Sequence, residues 1–278
     1  MTKGKVYGKA GSLGLQKVLI AAKLGGSDVT VAGENAPHDK FPLGVLPAYE
    51  GEKLLFGAES IAAHVAGVKD NAGFPELVQW LVWAERELLP NVLGYVLPSI
   101  SAAKVDDKTL NSYREELFAQ LKQFNQLLLD RTYLVGERLS IADVCVAVDL
   151  IPAFQHVLVD NKRKEYQNVT RWFRTIIAQK DVHQVVGDVQ LAKEVAKFCK
   201  NKYDELQSQH AAKPSKQQDK KKEDKPAKEQ PKKKEKDDDD DMGDEPVEKA
   251  PAKDPFADMP KPNFNFDEFK KVYSNEDT

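Results

Sequence analysis

The residues of the N-terminal third that could do chemistry sit at the junctions between short elements. Tyr7 falls in "KVYGK" (5–9), Ser12 in "KAGSLG" (9–14), Leu46 and Pro47 in "FPLGVLPAYEG" (41–51), and Glu59 with Ser60 at the head of "ESIAAHVAG" (59–67). An acid and a hydroxyl at the start of an Ala-rich helix satisfy free amide groups and complement the helix dipole. The same amides can hold the carboxylate of a ligand, so Ser60 carries two readings, helix cap and ligand contact. The glycines of "GKAGSLG" (8–14) suggest a phosphate loop, but the stretch fits neither G-x-x-x-x-G-K-[ST] nor G-x-G-x-x-G, and no acid follows at the dinucleotide spacing. His38, His64, His156, His183 and His210 form no ligand spacing with Cys145 or Cys199, so no metal site is expected.

Positioning these residues takes folded elements, and composition divides the chain sharply. Hydrophobic residues make up 41% of 278 and the net charge is −3, but both averages hide a partition near Leu206. Upstream, apolar residues are dense enough for a core. Downstream, 210–253 is a Lys- and Asp-rich linker with almost none, expected to be disordered because it cannot bury enough surface to offset its chain entropy. Its basic part, "KKKEDKPAKEQPKKKEK" (220–236), would give at most weak, salt-sensitive RNA contact, since acids interrupt it and no aromatic residue offers a stacking face. The run Asp237 to Asp241 reads as solvated spacer. Two distant cysteines in helical patterns point to buried thiols in a reducing compartment. "MTKGKVYG" lacks a leader's apolar stretch, and no run is long enough to span a bilayer, so a cytoplasmic protein is expected.

Residues 1–70 read as β-α-β-loop-β-β-α. "KVYGK" alternates as a strand, "LQKVLIAAKLGG" (15–26) is a helix stopped by two glycines, and "DVTV" (28–31), "LPAYEG" and "KLLFG" (53–57) are short strands. Residues 74–206 are helical in pattern throughout. Leu77, Trp80, Leu81, Ala84 and Leu88 share one face, Leu110, Tyr113, Leu117, Leu121, Phe124 and Leu128 another, and Pro98 separates the two. In "YLVGERLSIADVCVAVDL" (133–150), Ser140 and Asp143 form a capping box and Leu139 with Val144 a hydrophobic staple, the start of a helix in mid-core.

Together the element order, "LPAY", "ES" and "GERLSIADV" resemble the glutathione transferase fold: an α/β thioredoxin-like N-terminal subdomain followed by an all-α subdomain, covering about residues 3–205. The resemblance implies a cis Pro47 that presents the Leu46 backbone to a peptide ligand, with Glu59 and Ser60 at a helix N-terminus favouring the γ-glutamyl carboxylate of glutathione. Leu46, Pro47, Glu59 and Ser60 would form that site if it is retained, and Ser12 or Tyr7 would hold the thiolate. One departure is "GVLP", where Val45 replaces the cation that commonly precedes the proline.

A narrower resemblance comes from the far end. "KDPFADMPKPNFNFDEFKKVYSNEDT" (253–278), the Lys-rich linker before it and "NVTRWFRTIIAQ" (168–179) look like the gamma-subunit family of eukaryotic translation elongation factor 1. Residues 254–278 would then be the truncated start of a C-terminal domain. That family implies a non-catalytic scaffold which needs no cofactor and docks the guanine-nucleotide exchange subunit. Through that subunit it reaches the GTPase that delivers aminoacyl-tRNA. A homodimer through the α/β unit and the first long helix, which carries Trp80 and Trp83, is implied as well, with Trp80 the better fitted to the chain's own core. The alternative is an active glutathione transferase.

Overall fold

The computed structural model describes residues 2–69 and 73–211; the linker at 212–253 and the segment 254–278 lie outside the described residues. The N-terminal part contains β1 (Lys3–Tyr7), α1 (Leu13–Leu24), β2 (Asp28–Gly33), β3 (Ala48–Gly51), β4 (Leu54–Phe56) and α2 (Ala58–Val65). Its sheet has the order β2-β1-β3-β4, with β1 parallel to β2 and antiparallel to β3. The register pairs Val6 with Val31 on one side and Tyr49 on the other. Helix α1 stops where the sequence places its glycines. A Cβ on Gly25 would collide with the Val65 carbonyl oxygen at the end of α2, so the close approach of these two helix ends requires glycine.

The helical part begins with α3 (Phe74–Trp83), a π-helical turn at Ala84–Leu88, and α4 (Leu89–Ser99). The sequence reads as one unbroken helix here; the structure widens it. Leu89 donates to the Ala84 carbonyl, five residues back, just before Pro90, and proline can neither donate nor sit against the carbonyl four residues earlier. Helices α5 (Asp107–Leu127), α6 (Ile141–His156), α7 (Asp160–Glu165), α8 (Gln167–Ile177), α9 (Lys180–Val186) and α10 (Lys200–Ala211) complete the described chain.

Helix α6 is the axis of the core. Every residue from Ile141 to Ile151 is buried, together with Ala153 and Phe154. The expected capping box is present: Ser140 Oγ accepts from the Asp143 amide, and Asp143 Oδ2 accepts from the Ser140 amide. Asp143 does more than cap. Its Oδ1 also accepts from the Leu134 amide at 2.8 Å and from Trp172 Nε1 at 3.0 Å, tying the preceding loop and α8 to the same carboxylate. Leu139 packs against the core that contains Val144, as the staple predicts.

Candidate functional site

Three chain segments converge at the N-terminus of α1. Ser12 is its N-cap, with Oγ accepting from the Leu15 amide at 3.3 Å. Across from it, a Cβ on Gly14 would lie 3.0 Å from Pro47 Cδ and 3.4 Å from Ala58 Cβ. The first turn of α1 therefore abuts both the proline corner and the first residue of α2. The Leu46–Pro47 peptide is cis, and the Pro47 carbonyl accepts from Gly57 at 3.0 Å, fixing the corner to the head of α2. Ser12 also borders a cleft of about 350 Å³ whose other walls include Val96 of α4, Ile100 just past its end, and Ile151, Gln155 and His156 of α6. Burial holds His156 below the ordinary imidazole range, so this cleft carries little positive charge at neutral pH.

The remaining candidates are placed differently from expectation. Ser60 does not cap α2. The helix starts at Ala58 with Gly57 as N-cap at φ +86, and Ser60 turns its hydroxyl back onto the carbonyls of Phe56 at 2.5 Å and Gly57 at 3.0 Å. Gly57 takes the cap position because a residue at positive φ joins β4 to the helix, a conformation that disfavours a side chain. Tyr7 packs with Phe41 and Ala48 in a small cluster of its own, and its hydroxyl donates to Glu50 Oε2 at 3.0 Å. That hydrogen bond to a carboxylate raises the phenol above its ordinary range, the opposite of what stabilising a thiolate asks. Glu50 also pairs with Lys40 at 2.5 Å, and the two hydrogen bonds hold its carboxyl below the usual range. Val45 stands half-exposed in the corner and brings no charge.

Glu59 belongs to a charge cluster that joins the two parts of the fold. Lys17 of α1 is buried, and its ammonium lies 2.7 Å from Glu59 Oε1, 2.8 Å from Asp149 Oδ1 of α6 and 3.6 Å from Glu85 Oε2 of the π-turn. Three carboxyls share one cation. Burial would lift Glu59, but Lys17 outweighs it and holds this acid below its usual range. Burial and the like charge of Glu59 push Glu85 up. Asp149 is fully buried; its contact with Lys17 is short but poorly aligned as a hydrogen bond, and among the described residues neither oxygen has another donor. Burial pushes Asp149 up to about 7 in spite of the Lys17 charge. For Lys17 itself burial opposes the charge, but Asp149 and Glu59 more than compensate and raise it.

Lys17, Glu85 and Asp149 escape sequence reasoning, although one signal is there to read. Asp149 interrupts "VCVAV" and "LIPAF", and an acid inside so apolar a helix demands a counter-charge. What the chain cannot announce is that Lys17 supplies it.

The site thus fits glutathione in part. A cis-proline corner beside the α2 N-terminus suits a peptide carboxylate, and Ser12 has a hydroxyl hydrogen to donate at the head of α1. Against that, Tyr7 is spent on Glu50 and Val45 supplies no cation. Among the described residues, no cluster of three or more His, Cys, Asp or Glu is placed to hold a metal ion. Both cysteines are free thiols; Cys145 is buried as expected, but Cys199 is exposed, because it lies just before the helix that starts at Lys200 and not within a packed one. No described helix is long and apolar enough to cross a membrane.

Residues 88–180 match the family model "Glutathione S-transferase, C-terminal domain". Over nearly its whole length the chain is similar to a probable elongation factor 1-gamma of Caenorhabditis elegans, with 58% identity over 275 residues, 99% of this chain and 66% of that protein. The elongation factor 1-gamma of Drosophila melanogaster is 40% identical over 299 residues, 100% of this chain and 69% of that protein. The chain therefore spans about two thirds of the length of these relatives. Among solved structures, the GST-like domain of elongation factor 1-gamma from Saccharomyces cerevisiae superposes with a TM-score of 0.64 at 20% identity, covering 72% of this chain and 100% of that one. Poplar glutathione transferase F1 gives 0.58 at 18% identity, over 67% and 97%. At these identities the two structures show a shared fold.

Proposed function

The chain belongs to the elongation factor 1-gamma family, and from that premise we propose that it is a non-catalytic scaffold subunit of the translation elongation factor 1 nucleotide-exchange complex. Its transferase-like part docks the guanine-nucleotide exchange subunit in the cytoplasm, and through it the GTPase that delivers aminoacyl-tRNA. The mechanism is effective concentration: holding the exchange subunit close to its G protein speeds exchange without the scaffold touching a nucleotide. The observation that carries this reading is the similarity to elongation factor 1-gamma chains across nearly the full length, linker included. The engaged Tyr7 and uncharged Val45 support the non-catalytic half of it. Weak RNA contact, proposed for 220–236, and the homodimer are secondary parts of the same proposal. A pull-down with purified exchange subunit should retain it on the immobilised chain; retention no greater than on bare resin would count against docking.

A second reading, an active glutathione transferase, is favoured by the convergence of Ser12, cis Pro47 and the α2 N-terminus. Leu46, Glu59 and Ser60 would then bind the tripeptide, and Ser12 would donate to its thiolate. Turnover of a chlorodinitrobenzene-type electrophile that disappears in Ser12→Ala would support this. A rate at the uncatalysed background would leave the fold as scaffold.

A further inference from the structure

Away from the α1 cleft, a second cavity of about 440 Å³ opens between α3 and the C-terminal half of α5. Its walls are aromatic: Trp80 meets Trp83 edge-on at 5.5 Å between ring centroids, and Phe124 lies 5.8 Å from Trp80 and 5.4 Å from Trp83. Its polar lining consists of glutamines and Arg131, with no acid. The guanidinium of Arg131 has no carboxylate partner among the described residues. Two polar atoms of the walls are also unspent, since Trp80 Nε1 and Gln120 Oε1 are buried without a hydrogen-bond partner among the described residues. The Gln120 amide is held only by long contacts of 3.4 Å to the Glu87 carbonyl and to Glu116, so turning its oxygen into the cavity costs little.

We infer that this cavity is a binding site for a small aromatic carboxylate. The ligand ring packs on the partly exposed face of Trp83 without entering between Trp83 and Phe124, which already touch, and offset and edge-to-face contacts add to simple burial. The carboxylate meets Arg131 in a bidentate pair, and a ligand N–H meets the turned Gln120 oxygen, satisfying a buried acceptor that is expensive to leave unmade. N-acylated aromatic amino acids carry all three groups. The all-amide, cationic lining disfavours cations and gives aliphatic acids nothing to stack on. This site is separate from the Ser12 cleft and does not rest on docking of the exchange subunit, but it requires that the proposed homodimer leave the Trp83 face open.

The test is titration of the full chain with N-acetyl-L-tyrosine, followed through emission excited selectively at tryptophan, with sedimentation on the same sample. Saturable quenching is expected. N-acetyl-L-leucine should give none, and N-acetyl-L-tyrosinamide, which lacks the carboxylate, should bind about tenfold more weakly. Arg131→Gln, at an exposed position that leaves folding intact, should erase the difference between the acid and the amide, and Gln120→Met should weaken both ligands. No saturable quenching, or an acid preference that survives Arg131→Gln, would overturn the assignment. So would a sedimenting dimer whose tryptophan emission ignores the ligand, because the groove would then be covered by a second copy of the chain.

Discussion

Asp143 and Asp149 lie on the same helix, six residues apart, both fully buried, and they solve the same problem in opposite ways. Asp143 accepts from four donors, the amides of Ser140 and Leu134, the Ser140 hydroxyl and the Trp172 indole. Apart from Trp172, all of these come from the ten residues before it. Asp149 has one counter-ion, the Lys17 ammonium, which it must share with Glu59 and Glu85. A carboxylate solvated by preorganised neutral donors is a local anchor, cheap because those donors need partners anyway. One answered by a single buried cation is a tie between distant elements, in which desolvation of both ions offsets most of the Coulomb attraction. Helix α6 thus anchors its own start with Asp143 and holds the α/β part with Asp149.

Breaking that tie from one side should have the largest effect. Lys17→Met leaves Asp149 and Glu59 without their cation and should cost about 3–5 kcal/mol of unfolding free energy, measured by urea denaturation. Lys17→Met with Asp149→Leu should recover most of that loss, because an apolar pair can replace a buried ion pair at little cost. If the double variant were no more stable than Lys17→Met, the account of Asp149 as an expensive acid would be wrong.

The next effect is smaller and depends on pH. Because the folded-state pKa of Asp149 is raised to about 7, the folded protein holds a proton that the unfolded chain releases between about pH 4 and 7. Stability from this group therefore falls as pH rises through that window and is level above it. Glu59 acts with the opposite sign, since its lowered pKa favours folding above the usual carboxylate range and the benefit is lost on acidification. Relative to the unsubstituted protein, Asp149→Asn should gain stability between about pH 5 and pH 8, by on the order of 2–3 kcal/mol. Glu59 is common to both proteins, so the difference between their thermal melts isolates Asp149. Equal pH profiles would contradict the shift.

The smallest effect sharpens the other half of the comparison. Ser140→Ala removes one of the donors to Asp143 and the cap of α6, and should cost about 1 kcal/mol, because the amides and the indole remain in place. A melting temperature unchanged within error would show that the box contributes nothing beyond the backbone.

The same contrast explains what could be read from the chain. The capping box was legible because Ser140, Asp143, Leu139 and Val144 are neighbours in sequence and their roles follow from helix geometry. The element order β-α-β-β-β-α was legible from alternation and from the glycines at 25, 26, 51 and 57. The Leu46–Pro47 corner and Ser12 came from the fold resemblance; in the structure Pro47 packs against Gly14 in the first turn of the helix that Ser12 caps. Ser60 was legible only as belonging to a helix start, because whether Gly57 or Ser60 caps depends on how β4 hands the chain over. Tyr7 could not be placed, since its hydroxyl answers to Glu50, a partner 43 residues away. Lys17 and Asp149 meet across the whole fold, and periodicity is blind to such pairs. The π-turn before Pro90 follows from proline chemistry, but a wide turn and a break look alike in sequence.

The central claim is the proposal that the fold holds a protein partner and carries out no glutathione transferase chemistry. It is tested most directly by calorimetric titration of the full chain with the exchange subunit's N-terminal region and, separately, with glutathione. Saturable heat from the protein partner, with none from glutathione at micromolar to submillimolar concentration, is the predicted result. Glutathione binding at micromolar strength with no heat from the partner would contradict it and make Ser12 the residue to substitute next.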